Sequence, residues 1–159
     1  MLALSALHAE TDYQTEVTFR GFPWGTSMEE FISQAGRPIS REEINGLVSL
    51  VWENVEVNGY MTYMLAYFSP SGGLQGGTHY FLTYDLDELM ACYTELQHEL
   101  RDTFGPTLLY LDILREIRHF ECFWNLPGGS VHLKANIRLD VPVTLWFASP
   151  ELTQLLAGS

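Results

Sequence analysis

Cysteine is scarce in this chain: only Cys92 and Cys122 occur in 159 residues. Two are too few for a disulfide framework, and their spacing is neither CxxC nor any zinc-binding pattern. The plain reading is a pair of buried thiols; a single bridge is the alternative if the chain is exported. Basic residues are also scarce, with 8 Lys and Arg against 20 Asp and Glu, for a net charge of −12. That balance disfavours non-specific nucleic-acid binding and attachment to anionic membrane surfaces. It favours solubility, or a basic protein partner. No apolar run approaches the ~18 residues of a transmembrane helix.

Catalytic signatures are missing as well. There is no Gly-x-Ser-x-Gly elbow, no P-loop and no His-Glu-x-x-His. The Gly-rich stretch Gly72 to Gly77 lacks the Lys-Ser/Thr ending of a P-loop and reads as a flexible connection. Asp85, Asp87 and Glu88 lack the glycine of a calcium loop and suit a helix start instead. The histidines are His8, His79, His98, His119 and His132, none paired at i, i+2 or i, i+4. No catalytic residue, metal ligand set or cofactor is expected, and the chain does not read as an enzyme; a hydrolase is the weakest of the functions weighed.

What is present is core material. Hydrophobic residues make up 47% and aromatics 13% of the chain, enough for a packed domain and too much for disorder. Ser27 followed by Glu30 predicts a capped helix that runs to Ala35, with Gly36 as a left-handed cap and Pro38 as a stop. Asp85 and Glu88 cap a second, longer helix. Its stripe of Leu86, Leu89, Tyr93, Leu96, Leu100 and Phe104 has helical spacing. Ser149-Pro150 opens a short terminal helix.

The strands read as Tyr13 to Arg20, Val48 to Val57, Tyr60 to Phe68, Thr78 to Tyr84, His119 to Leu126, Val131 to Leu139 and Val143 to Phe147. Arg37 to Gly46 and Ser69 to Gly77 read as connections; Thr107 to Arg118 is ambiguous between helix and strand. Asn58-Gly59 is a two-residue hairpin turn, which sets Trp52 opposite Leu65 and Leu50 opposite Tyr67. A turn over Pro127 to Ser130 sets Asn125 opposite His132 and Glu121 opposite Asn136, and places His119 and His132 at opposite ends of that hairpin. The expected fold class is α+β: an antiparallel sheet with two main helices packed on one face. Residues 12–159 form a single domain, with halves 12–84 and 85–159 that echo one another as helix-plus-hairpin units. Residues 1–11 read as a signal-peptide remnant or a flexible tail.

The run Trp24-Gly25-Thr26-Ser27-Met28-Glu29-Glu30-Phe31, followed by Gly36-Arg37-Pro38, resembles the helix of small outer-membrane assembly lipoproteins of the BamE/SmpA type. The same helix-plus-sheet unit is similar to the repeat of β-lactamase inhibitor proteins. Phe19 to Ser27 resembles the Phe-Arg-Gly-x-Pro-Trp-Gly-Thr-Ser start of exported bacterial domains. The resemblance implies a non-enzymatic, extracytoplasmic protein-binding domain, periplasmic or secreted, with cytoplasmic residence as the alternative. No cysteine stands near the N-terminus to carry a lipid anchor.

Register arithmetic puts Trp52, Tyr63, Leu65 and Tyr67 on one face with Leu50 and Met61. These four are the candidate interface, because Tyr and Trp anchor interfaces. The bland alternative is a central strand pair covered on both sides. Covering by a second copy, a protein partner or the N-terminal segment is expected. An immunity- or inhibitor-type protein that binds a basic partner is the alternative function.

Overall fold

Among the described residues three helices punctuate the chain, and each begins on a side chain that satisfies the backbone. The computed structural model describes residues 12–112, 119–136 and 143–158. Helix α1 (Met28–Ala35) starts at Ser27, whose Oγ accepts from the Glu30 amide at 3.1 Å. Helix α2 (Leu86–Phe104) starts at Asp85, whose carboxylate accepts from the amides of Asp87 and Glu88. Helix α3 (Pro150–Ala157) starts at Ser149, which accepts from Leu152. Gly36 and Gly105 end the first two helices at φ 86° and 93°, with ψ near 180°. That is not the left-handed helical cap expected at Gly36. It is a more extended region that only glycine enters easily. Ser27→Ala should cost about 1 kcal/mol through loss of the cap; an unchanged denaturation midpoint would mean that the Ser27 hydroxyl does not hold the helix start.

Among the described residues the strands form one antiparallel, eight-stranded sheet. They are β1 (Ser40–Ile44), β2 (Leu47–Val57), β3 (Tyr60–Phe68), β4 (Leu74–Phe81), β5 (Leu108–Asp112), β6 (His119–Leu126), β7 (Gly129–Asn136) and β8 (Val143–Ala148). Their order across the sheet is β1-β2-β3-β4-β8-β7-β6-β5. The fold is therefore α+β.

Several expected elements differ. Residues 13–20 form no strand: the segment makes single bonds, Gln14 N–H to Thr103 O and Gly128 N–H to Thr15 O. Its alternation reports burial of Val17 and Phe19 against the core, not pairing in a sheet. Conversely, Ser40–Ile44 is a strand although all five residues are exposed. An edge strand that buries nothing leaves no hydrophobic pattern. Strand β4 begins at Leu74, inside the stretch read as a flexible loop. Its glycines serve close packing. A Cβ on Gly77 would lie 2.3 Å from the Phe19 ring, and one on Gly76 would lie 2.7 Å from Leu152. The expectations for residues 1–11, 113–118 and 137–139 lie outside the described residues.

Both predicted registers shift. The Asn58-Gly59 turn pairs Val57 with Tyr60, but a bulge between Trp52 and Val55 moves the rest by one residue. Trp52 then faces Met64 instead of Leu65, and Leu50 faces Ala66 instead of Tyr67. Asn54 sits in the bulge at φ 58°, a conformation Asn tolerates better than most residues. In the second hairpin Leu126 pairs with Gly129, so the turn is Pro127-Gly128 alone. Glu121 then faces Lys134 instead of Asn136, and His132 faces Phe123 instead of Asn125.

The register aligns Trp52, Met64, His79, Leu145, Leu133 and Cys122 in one row across the sheet. Around that row, Phe31 of α1 packs on Phe19, Phe22, Trp52 and Phe68. The α2 stripe of Leu89, Tyr93, Leu96, Leu100 and Phe104 is buried with Trp124, Val131, Leu133 and Leu145. Trp24 and Phe147 contact both clusters. Cys92 and Cys122 are buried in this layer and unbridged. Burial, with Glu95 and Glu88 nearby, pushes the Cys92 thiol up to about 12, so it stays protonated and unreactive.

Candidate interaction surface

The reverse face of the sheet carries three aligned rows. The first is Tyr63, Tyr80, Thr144, Lys134 and Glu121; the second is Leu65, Thr78, Trp146, His132 and Phe123; the third is Tyr67, Gly76, Ala148, Ser130 and Asn125. Helix α3 closes the third row. Leu152 reaches Gly76, and the Thr153 and Ser130 hydroxyls lie 2.7 Å apart. Among the described residues no helix closes the first two rows, although Thr78 within them is fully buried by its neighbours.

The bulge separates the four expected interface residues. Trp52 is 5% exposed and packs in the helix-side core, where its Nε1–H donates to Gly36 O at 2.9 Å. It is therefore not part of the reverse face, because a one-residue register slip sends a side chain to the other side of a sheet. Tyr63, Leu65 and Tyr67 do share the reverse face. Tyr63 is 39% exposed and Leu65 is half-buried, but Tyr67 is only 9% exposed. Its ring lies 5.1 Å from that of Trp146, and burial pushes its hydroxyl up to about 12. Tyr67 supports the surface from beneath.

Residues not singled out from the sequence complete these rows: Phe123 is 44% exposed, and Tyr80 and Trp146 are half-buried. Met61, opposite Glu56 and just beyond the first row, is 45% exposed. The signal for Tyr80 and Trp146 was alternation, but their shared face follows only from the order β3-β4-β8-β7-β6, which joins strands distant in sequence.

One end of the surface is polar. The corrected second hairpin brings His119 and His132 to one carboxylate. His119 Nε2 lies 2.9 Å from Glu121 Oε2, and His132 Nε2 touches Glu121 Oε1. Burial would raise the Glu121 carboxyl, but the hydrogen bonds and charges of the two histidines outweigh it and hold the group below its ordinary value. Burial lowers His132 against the opposing pull of Glu121. The ring of His132 meets Phe123 edge-on, with centroids 5.6 Å apart. Among the described residues no group of three or more His, Cys, Asp or Glu could hold a metal ion. The arrangement can therefore offer aromatic contact at its centre and titratable hydrogen bonding at its rim.

No protein-family model, no curated protein and no solved structure matches the chain. No helix among the described residues is long and apolar enough to cross a membrane.

Proposed function

We propose that the chain is a non-catalytic protein-binding domain, with the two open rows of the sheet as its contact surface. The supporting observation is the exposure of Met61, Tyr63 and Phe123 on a face where, among the described residues, no helix covers the first two rows. Large apolar side chains left exposed on one sheet face suit an interaction site. Aromatic residues set among half-buried neighbours are typical anchors.

The partner is a different protein with an apolar centre and basic groups around it. Two copies of a chain with net charge −12 repel, which counts against self-association. Among the described residues Glu56 and Glu121 stand on this face against one cation, Lys134. This agrees with the inhibitor-type alternative raised by the acidity, and basic groups on the partner would speed and orient docking.

The halves 12–84 and 85–159 are proposed to be copies of one unit. In each, a helix ends on a glycine whose carbonyl accepts from a tryptophan on the second strand that follows. These bonds are Trp52 to Gly36 and Trp124 to Gly105, both 2.9 Å.

A photo-crosslinking amino acid in place of Tyr63, compared with one in place of exposed Thr94 on α2, tests the surface in the native host. An adduct with a basic protein from position 63 only is expected. Adducts no stronger than those from position 94 would overturn the surface. A homodimer adduct alone would overturn the basic partner.

A further inference from the structure

On the helix side of the sheet lies a cavity of about 200 Å³, floored by His79, Leu145 and Phe147 and walled by Phe19, Leu96 and Leu100. His79 is 4% exposed, at the middle of the sheet. Its Nδ1 lies 3.2 Å from the Thr62 hydroxyl, and that hydroxyl donates its only proton to Val55 O at 2.8 Å. Thr62 Oγ1 must therefore accept, so His79 carries its proton on Nδ1. That leaves Nε2 as an acceptor. Among the described residues Nε2 has no hydrogen-bond partner, yet it is not among the polar atoms sealed from solvent.

The rim is polar and mixed in sign. Asn58 Nδ2 donates to Glu99 Oε2 at 2.6 Å on one side. Arg20 stands on the other, at φ 53° in a two-residue turn closed by Phe19 and Phe22. Gly or Asn suits that conformation better than Arg, and strained residues cluster where a side chain is needed. Burial, and then the Arg20 charge, push His79 down to about 3, so the imidazole is neutral and can only accept at Nε2. A cation and an anion at the rim favour neither an anionic nor a cationic guest. The half-buried ring of Phe147, beside Leu96 and Leu100, favours an aromatic body.

We infer that this cavity binds a small neutral aromatic alcohol, whose hydroxyl donates to His79 Nε2 while its ring packs on Phe147, Leu96 and Leu100. The site is separate from the sheet face assigned above. Ligand pockets of this kind pair an apolar lining with few convergent polar groups.

NMR titration of the full chain with phenol, and separately with toluene, tests the inference. Toluene matches the shape and lacks the donor. Phenol should bind about tenfold more tightly, the worth of one hydrogen bond, with a saturable shift of the His79 ring nitrogens. His79→Leu should bring phenol to the level of toluene. Equal affinities, no saturable shift at His79, or an unchanged preference in His79→Leu would overturn it. If His79→Leu does not fold, the two affinities and the nitrogen shift in the unsubstituted chain decide alone.

Discussion

Gly77→Ala should destabilise the chain by about 3 kcal/mol, the upper end for an overpacked core. Backbone strain is not the cause; the cause is the Phe19 ring. A Cβ at position 77 would lie 2.3 to 2.4 Å from three of its atoms. Phe19 is fully buried and crowded by other rings. It lies parallel to Phe31 at 6.1 Å and tilted against His79 and Phe147 at 5.3 and 5.9 Å. Either the ring leaves its rotamer or β4 moves away from the 13–20 segment. Urea denaturation should show a lower midpoint with an unchanged slope. A loss of less than ~1 kcal/mol would mean that Phe19 is not clamped over the strand.

The second large effect is acid lability above the carboxylate range. The folded pKa of His79 is about 3, against about 6.5 in the unfolded chain. Between those values the unfolded state binds the proton and the native state does not. The stability from neutral burial is therefore complete above pH 6.5 and is lost as pH falls toward 3. From pH 6.5 to 4.5 this amounts to about 2 kcal/mol, a sizeable share of the stability of a small domain. His132, also lowered by burial, adds in the same direction. Glu121, held below its ordinary value, adds only at more acidic pH. Denaturation midpoints across this range should fall in the unsubstituted chain and fall much less in His79→Leu. Parallel curves would mean that His79 protonates as easily folded as unfolded.

The parts of the fold legible in the sequence are those fixed by neighbours along the chain. Ser27, Asp85 and Ser149 start helices because a cap acts within three residues. The α2 stripe is plain because a helix repeats its own face. Strand β1 was hidden because Ser40–Ile44 is wholly exposed. A clue stood beside it: Asn45-Gly46, with φ of 51° and 78°, turns β1 into β2 as Asn58-Gly59 turns β2 into β3. Gly76 and Gly77 looked like loop, because what they accommodate, Leu152 and Phe19, is far away in sequence. The candidate surface was legible in Tyr63, Leu65 and Tyr67, which alternate on one strand. Trp52 was misplaced by the Asn54 bulge, a feature of how two strands coil and not of either strand alone. Tyr80, Trp146 and Phe123 join the surface only through the pairing of β4 with β8 and of β8 with β7, which no local pattern encodes.

The exposed sheet face is proposed to bind another protein. The most direct measurement is crosslinking from position 63 in the native host, with and without Phe123→Glu. Phe123 lies at the far end of the open rows, is 44% exposed, and bonds through its backbone to Thr107, so a charge there should leave the fold intact. One basic protein should crosslink from position 63, and that adduct should be lost when Phe123→Glu is added, at an unchanged denaturation midpoint. An adduct that survives Phe123→Glu undiminished would contradict the proposal.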